Sequence, residues 1–100
     1  MKSFRAVDNE DGTWSVRTII VIYRQKFGKH PDFLQNMQGD AKIGYNTKYC
    51  LLIEDDLTKE QAEKRADELY ARYDALQSHC ENTGDWRDWP FKDAVVCWAK

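Results

Sequence analysis

No apolar run in this chain approaches the ~20 residues that a membrane-spanning helix needs. Met1-Lys2 does not lead into an apolar stretch of the secretory kind. Neither a membrane span nor a leader peptide is expected. Cysteine is scarce and odd in number: three residues, with no C-x-x-C pair. That argues against a disulfide framework and for a reducing, cytoplasmic setting. Cys50 alternates within an apparent strand, Cys80 lies on an apolar helix stripe and Cys97 sits in an apolar tail. Each reads as a small buried hydrophobe. Ligand pairs about two to five residues apart, which structural zinc favours, are missing. The spaced ligands and glycine of an EF-hand are missing too, so Glu54-Asp55-Asp56 stands alone. There is no internal repeat, no low-complexity tract and no catalytic or cofactor motif. No metal or cofactor is expected. An excess of positive charge is also absent. The net charge is −2, whereas a protein that coats duplex DNA is usually more basic.

What is present suits one folded domain. The chain has 100 residues, enough for a single modest core. Hydrophobic residues make up 42% and charged residues 32%, which separates it from a disordered chain. Leu and Val are few, so the 13% aromatic share, with its four Trp, supplies much of the burial. The small net charge hides an asymmetry. Residues 1–53 carry eight Lys/Arg and five Asp/Glu, and residues 54–100 carry seven and twelve. The halves therefore permit a charged partner of either sign.

Ser3 to Val7 and Thr13 to Tyr23 read as strands, with a turn cluster at Asp8-Asn9-Glu10-Asp11-Gly12 between them. Trp14, Val16, Thr18, Ile20 and Ile22 share one face of the second strand. The opposite face turns apolar late, at Ile19, Val21 and Tyr23. Pro31 and Gly39 bracket either a short helix, with Phe33, Leu34 and Met37 inward, or a binding loop. Tyr49 to Ile53 reads as a central strand closed by Glu54-Asp55-Asp56. Asp93 to Ala99 reads as a last strand. The fold expected is α+β, in one domain over residues 1–100. It has a four-stranded, mostly antiparallel or mixed sheet with one long amphipathic helix on a face, in the order β-β-(short α)-β-α-β.

The long helix is the most legible element. Thr58-Lys59-Glu60-Gln61 fits a capping box, and Leu57 and Ala62 sit where a hydrophobic staple would put them. Ala62, Ala66, Leu69, Tyr73, Leu76 and Cys80 recur at three- and four-residue steps and form one stripe. Asn82-Thr83-Gly84 should end the helix. At about 100° per residue, Glu60, Glu63, Asp67 and Asp74 fall within an arc of roughly 60° beside that stripe. Lys64, Arg65 and Arg72 lie on the far side, with Glu68 among them.

Three functional expectations follow. The first is a small non-enzymatic protein-binding or inhibitory module. Its acidic helix edge (Glu60, Glu63, Asp67, Asp74, with Asp55 and Asp56 nearby) engages a basic surface on a protein partner, because a row of carboxylates competes with phosphates for a basic groove. Trp86 and Trp89, beside Phe91, add aromatic anchors of the kind enriched at interfaces. Size and style place such a domain among phage and mobile-element accessory proteins, including anti-CRISPR-like inhibitors of host nucleoproteins. The second expectation is a single-stranded nucleic-acid binder. In it Arg24, Lys26, Lys29 and Lys42 take phosphates while Phe27 and Tyr45 stack on bases, with His30, Lys48 and Tyr49 close by. The third is a small ribonuclease-like enzyme, which needs His30 and His79 to converge with Lys26 or Lys29. Plain alternatives stand beside each: a solvated helix face, a loop whose aromatics plug the core, Trp residues that only pack, and two surface histidines.

Overall fold

The computed structural model describes residues 3–23, 41–43 and 46–97. Strands β1 (Phe4–Asp8) and β2 (Trp14–Tyr23) are antiparallel, in register from Phe4↔Thr18 to Asp8↔Trp14. The turn between them is built from its own carboxylates. Asp8 accepts the Glu10 N–H at 2.8 Å, and Asp11 accepts the Thr13 N–H at 2.9 Å. Short acidic side chains thus satisfy backbone donors that no ladder reaches. Gly12 there has φ of 92°, a conformation that costs glycine little.

The chain continues through β3 (Ala41–Ile43), β4 (Asn46–Leu57), the helix α1 (Lys59–Thr83) and β5 (Val95–Cys97). Every strand pair among the described residues is antiparallel, which settles the mixed-or-antiparallel alternative. The strand order is β1-β2-β4-β3, and β5 also pairs with β4. One edge of β4 is taken by β2 along its length. The other is shared end to end, by β3 at Asn46–Lys48 and by β5 at Cys50–Leu52. The fold is α+β, an antiparallel sheet with one long helix.

Two details depart from the sequence reading. The central strand does not stop at Ile53 but runs to Leu57, because β2 reaches back to Trp14 and pairs with that residue. Two register shifts absorb the extra β4 residues, and Asp56, in the irregular stretch, has φ of 59°. Asp55 and Asp56 stay exposed within it, so an acidic run that looked like a strand terminator is tolerated as a bulge. The short strand β3 was not foreseen. The short helix or loop expected between Pro31 and Gly39 lies outside the described residues.

The helix forms where expected. Thr58 Oγ1 accepts the Gln61 N–H at 3.2 Å, and the Gln61 side chain accepts the Thr58 N–H at 3.0 Å. Both arms of the capping box are closed. At the other end Gly84 is left-handed, with φ of 73°, and its N–H reaches the Cys80 carbonyl at 2.8 Å. The helix therefore ends at Thr83, three residues past Cys80.

Alternation on the strands sends Phe4, Val16, Ile20, Ile22, Tyr49 and Leu51 to one face of the sheet, all buried. Against that face α1 lays Ala62, Ala66, Leu69 and Cys80, with Tyr73 and Leu76 packed at the margin. Aromatic rings complete the core. Tyr73 and Phe91 meet edge to face at 5.2 Å, Trp89 and Phe91 at 5.3 Å, and Trp86 and Trp89 at 5.5 Å. The helix runs antiparallel to β1. Lys59 sits over the Trp14 ring, the register partner of Asp8 at the end of β1, and Asp74 meets Ser3 just before its start.

Candidate protein-binding edge

Strand β1 is an edge strand: among the described residues it pairs with β2 alone. An edge strand leaves a row of backbone N–H and C=O groups without a ladder partner. Helix α1 runs beside that edge, and a shallow open groove of about 310 Å³ lies between them. Phe4, Arg5 and Ala6 line it from the strand, and Glu63, Ala66 and Asp67 from the helix. The floor is apolar because Phe4 and Ala66 are core residues, and two carboxylates stand on one wall.

These carboxylates belong to the acidic arc read from the sequence. Glu60, Glu63 and Asp67 are exposed. Asp74 is half-buried and accepts the Ser3 hydroxyl at 2.8 Å, so it ties down the chain just before β1. Asp55 is exposed and accepts from the Asn9 side chain at 2.8 Å, and Asp56 beside it is exposed. On the far flank Arg65 is paired with Glu54 and, at 3.4 Å, with Glu68, and Arg72 lies 5.2 Å from the Tyr73 ring centre.

Two further residues on the same side of α1 were not singled out in the sequence. Beyond Thr18 no described residue of β1 faces β2. There the helix takes over: Gln77 Nε2 donates to the Ile19 carbonyl at 2.9 Å, and Glu81 accepts the Val21 N–H at 2.7 Å. Gln77 also accepts the Thr18 hydroxyl at 2.9 Å, in the interior. Burial pushes the Glu81 carboxyl above its ordinary pKa. The Val21 N–H and the Gln77 side chain pull it back, while Asp74 adds to the rise. The signal was in the spacing. Glu81 lies eighteen residues after Glu63, about five whole helical turns, so both occupy one angular position.

Trp86 and Trp89 are corrected as partner anchors. They are 6% and 2% exposed and belong to the core, so they present almost no surface to a partner. The loop folds inward because a chain with few large aliphatics needs their area for burial. Of the basic and aromatic set, Arg24, Lys26, Phe27, Lys29, His30 and Tyr45 lie outside the described residues. Lys42 falls on β3, and Tyr49 is 1% exposed in the core, so it offers no face to a base. His79 is exposed while its neighbour Cys80 is buried, as the turn of about 100° per residue requires. Burial raises the Cys80 thiol pKa, helped by Asp85, Asp88 and Glu81. Among the described residues no three His, Cys, Asp or Glu side chains are grouped to hold a metal ion. No helix there is long and apolar enough to cross a membrane.

Comparison with protein-family models, with curated proteins and with solved structures yields no match.

Proposed function

We propose that this protein works by binding another protein, and that the binding surface is the open edge of β1 together with the acidic side of α1. The occupant is an extended segment bearing Lys or Arg side chains. Its backbone adds to the edge of β1, and its cations meet Glu60, Glu63 and Asp67. Strand addition of this kind draws affinity from main-chain hydrogen bonds and specificity from the side chains that flank them. The observation that carries the reading is the groove itself, with residues of the edge strand β1 on one side and Glu63 and Asp67 on the other. The helix supplies a precedent, since Glu81, at the same angular position, already accepts a strand N–H. The role fits an inhibitor as well. Carboxylates in a row compete with phosphates for a basic surface, as an accessory protein directed at a host nucleoprotein would require.

A panel of extended Lys/Arg-rich peptides, read by fluorescence anisotropy and by amide shifts, tests this. Basic peptides should bind, should move the amide signals of Phe4–Asp8, and should bind more weakly as salt rises, since exposed charges are screened over roughly 8–10 Å. Reversing Glu63 and Asp67 to Lys should abolish binding while the fold holds. If the reversal leaves peptide binding intact, or if the protein captures single-stranded oligonucleotides and ignores the peptides, the reading fails.

A further inference from the structure

Cys50 and Cys97 face each other across two neighbouring strands. They are register partners in the β4–β5 pair, and their sulfurs are 3.2 Å apart in a thiol–thiol contact. Directly opposed residues of an antiparallel pair have Cα atoms roughly 4.5–5.5 Å apart, inside the roughly 4.4–6.8 Å that a disulfide spans. No backbone movement is needed, only a small approach of the two sulfurs. The pair lies on the sheet face away from α1, because the alternation that points Leu51 and Val96 into the core turns their neighbours outward. Cys50 is 1% exposed and Cys97 is half-buried.

We propose that Cys50 and Cys97 are a reversible oxidation site, a dithiol in the folded protein that peroxide converts to a cross-strand disulfide. Cys97 is the entry point because it is the more accessible of the two. Its thiolate attacks one oxygen of hydrogen peroxide. The O–O bond breaks, hydroxide leaves and takes up a proton to become water, and Cys97 becomes a sulfenic acid. The Cys50 sulfur then attacks the Cys97 sulfur. The S–S bond forms, the S–O bond breaks, and the departing oxygen leaves as a second water with the Cys50 proton. Two thiols have lost one electron each, and the peroxide has gained both. Sulfenic acids condense with a neighbouring thiol in this way, and a thiol already in contact wins over further oxidation.

The consequence follows from where β5 sits. It is a three-residue strand on the edge of the sheet. Short edge elements open locally before the whole molecule unfolds. A bond from Cys97 to Cys50 pins β5 to β4 and, through it, the chain that carries Trp86, Trp89 and Phe91. Cys80 takes no part. It is fully buried on the opposite side of the sheet, and burial holds its thiol in the protonated form.

The test is peroxide treatment of the folded protein, followed by alkylation in denaturant, intact mass and peptide mapping. Oxidation should remove two hydrogens from the chain, leave one alkylatable thiol at Cys80, and yield a single cross-linked species joining the Cys50 and Cys97 peptides, reversed by dithiothreitol. The unfolding midpoint should rise on oxidation, and the amides of Val95–Cys97 should exchange more slowly. C50S and C97S should each abolish the internal bond and the midpoint shift. Three alkylatable thiols after treatment would overturn the proposal. So would oxygen adducts at Cys97 with Cys50 untouched, or a covalent dimer through Cys97.

Discussion

The hydroxyl of Thr18 on β2 donates to the side-chain oxygen of Gln77 on α1 at 2.9 Å, with both side chains buried. The amide nitrogen of the same Gln77 reaches the Ile19 carbonyl. One glutamine therefore closes the sheet's backbone and its own polar end together, where β1 no longer covers β2. An apolar stripe lets a helix slide along a sheet, whereas a buried hydrogen-bonded pair fixes its position.

Gln77→Ala should cost about 1–3 kcal/mol, because it strands the Thr18 hydroxyl and the Ile19 carbonyl. Thr18→Val combined with Gln77→Leu should cost less than the sum of the single changes, since both partners of the buried pair are removed. Urea unfolding of the two singles and the double measures the coupling. Strict additivity would show that the pair contributes nothing jointly.

Glu81 should shape the pH dependence of stability. Its folded pKa is raised above the ordinary value of 4.5, so the native state binds this proton more tightly than the unfolded chain does. Its contribution is largest below that ordinary value and is lost as pH rises through the raised one. Glu81→Gln keeps an acceptor for the Val21 N–H and removes the charge. The stability of wild type minus that of Glu81→Gln should therefore fall from acid to neutral pH. Glu81→Ala should be destabilised at every pH, because the Val21 N–H is left without its acceptor.

Both ends of α1 should show measurable caps. Thr58→Ala should cost about 1 kcal/mol, as loss of an N-cap oxygen does. Gly84→Ala should cost roughly 1–2 kcal/mol, because a Cβ is disfavoured in the left-handed region that Gly84 occupies. Chemical denaturation reads both. An unchanged Gly84→Ala would mean that the helix terminates differently in solution.

Trp89 should behave as a core residue with a defect. It is 2% exposed, and its indole N–H has no hydrogen-bond partner among the described residues. Trp89→Ala should cost about 3–5 kcal/mol, as large-to-small aromatic changes in a core do. Trp89→Phe should cost less than half as much, because removing the stranded N–H offsets about 1–3 kcal/mol of lost packing. Thermal unfolding of the two variants decides the ratio.

The acidic arc shows how far one helix can be read without its fold. Glu63 and Glu81 share an angular position and differ in fate. Glu63 is exposed on the groove wall beside β1, and Glu81 is drawn into the β2 backbone. Helical periodicity cannot tell them apart, because the difference is the point at which β1 ends. Trp86 and Trp89 carry the same lesson in reverse. Aromatic clusters suit an interface and a core equally well by composition, and only the packing of Trp86 on Trp89 and of Trp89 on Phe91, which in turn meets Tyr73 and Phe4, assigned them inward.

By itself the sequence determined what is local: the capping box at Thr58, the stop at Gly84, the apolar stripe of α1, the alternation of β2 and the order of the strands it named relative to the long helix. Each depends on residues within a few turns or strand steps of one another, where periodicity and capping chemistry act directly. Tertiary structure alone decided the antiparallel pairing, the bulged extension of β4 to Leu57, the edge position of β1, the backbone partners of Gln77 and Glu81, and the meeting of Cys50 with Cys97. The β2–β4 pairing joins residues 23 to 43 positions apart, and the contacts of Gln77, Glu81 and the two cysteines span 47 to 60. Long-range register arises when whole faces are buried together, and no short window of residues encodes it.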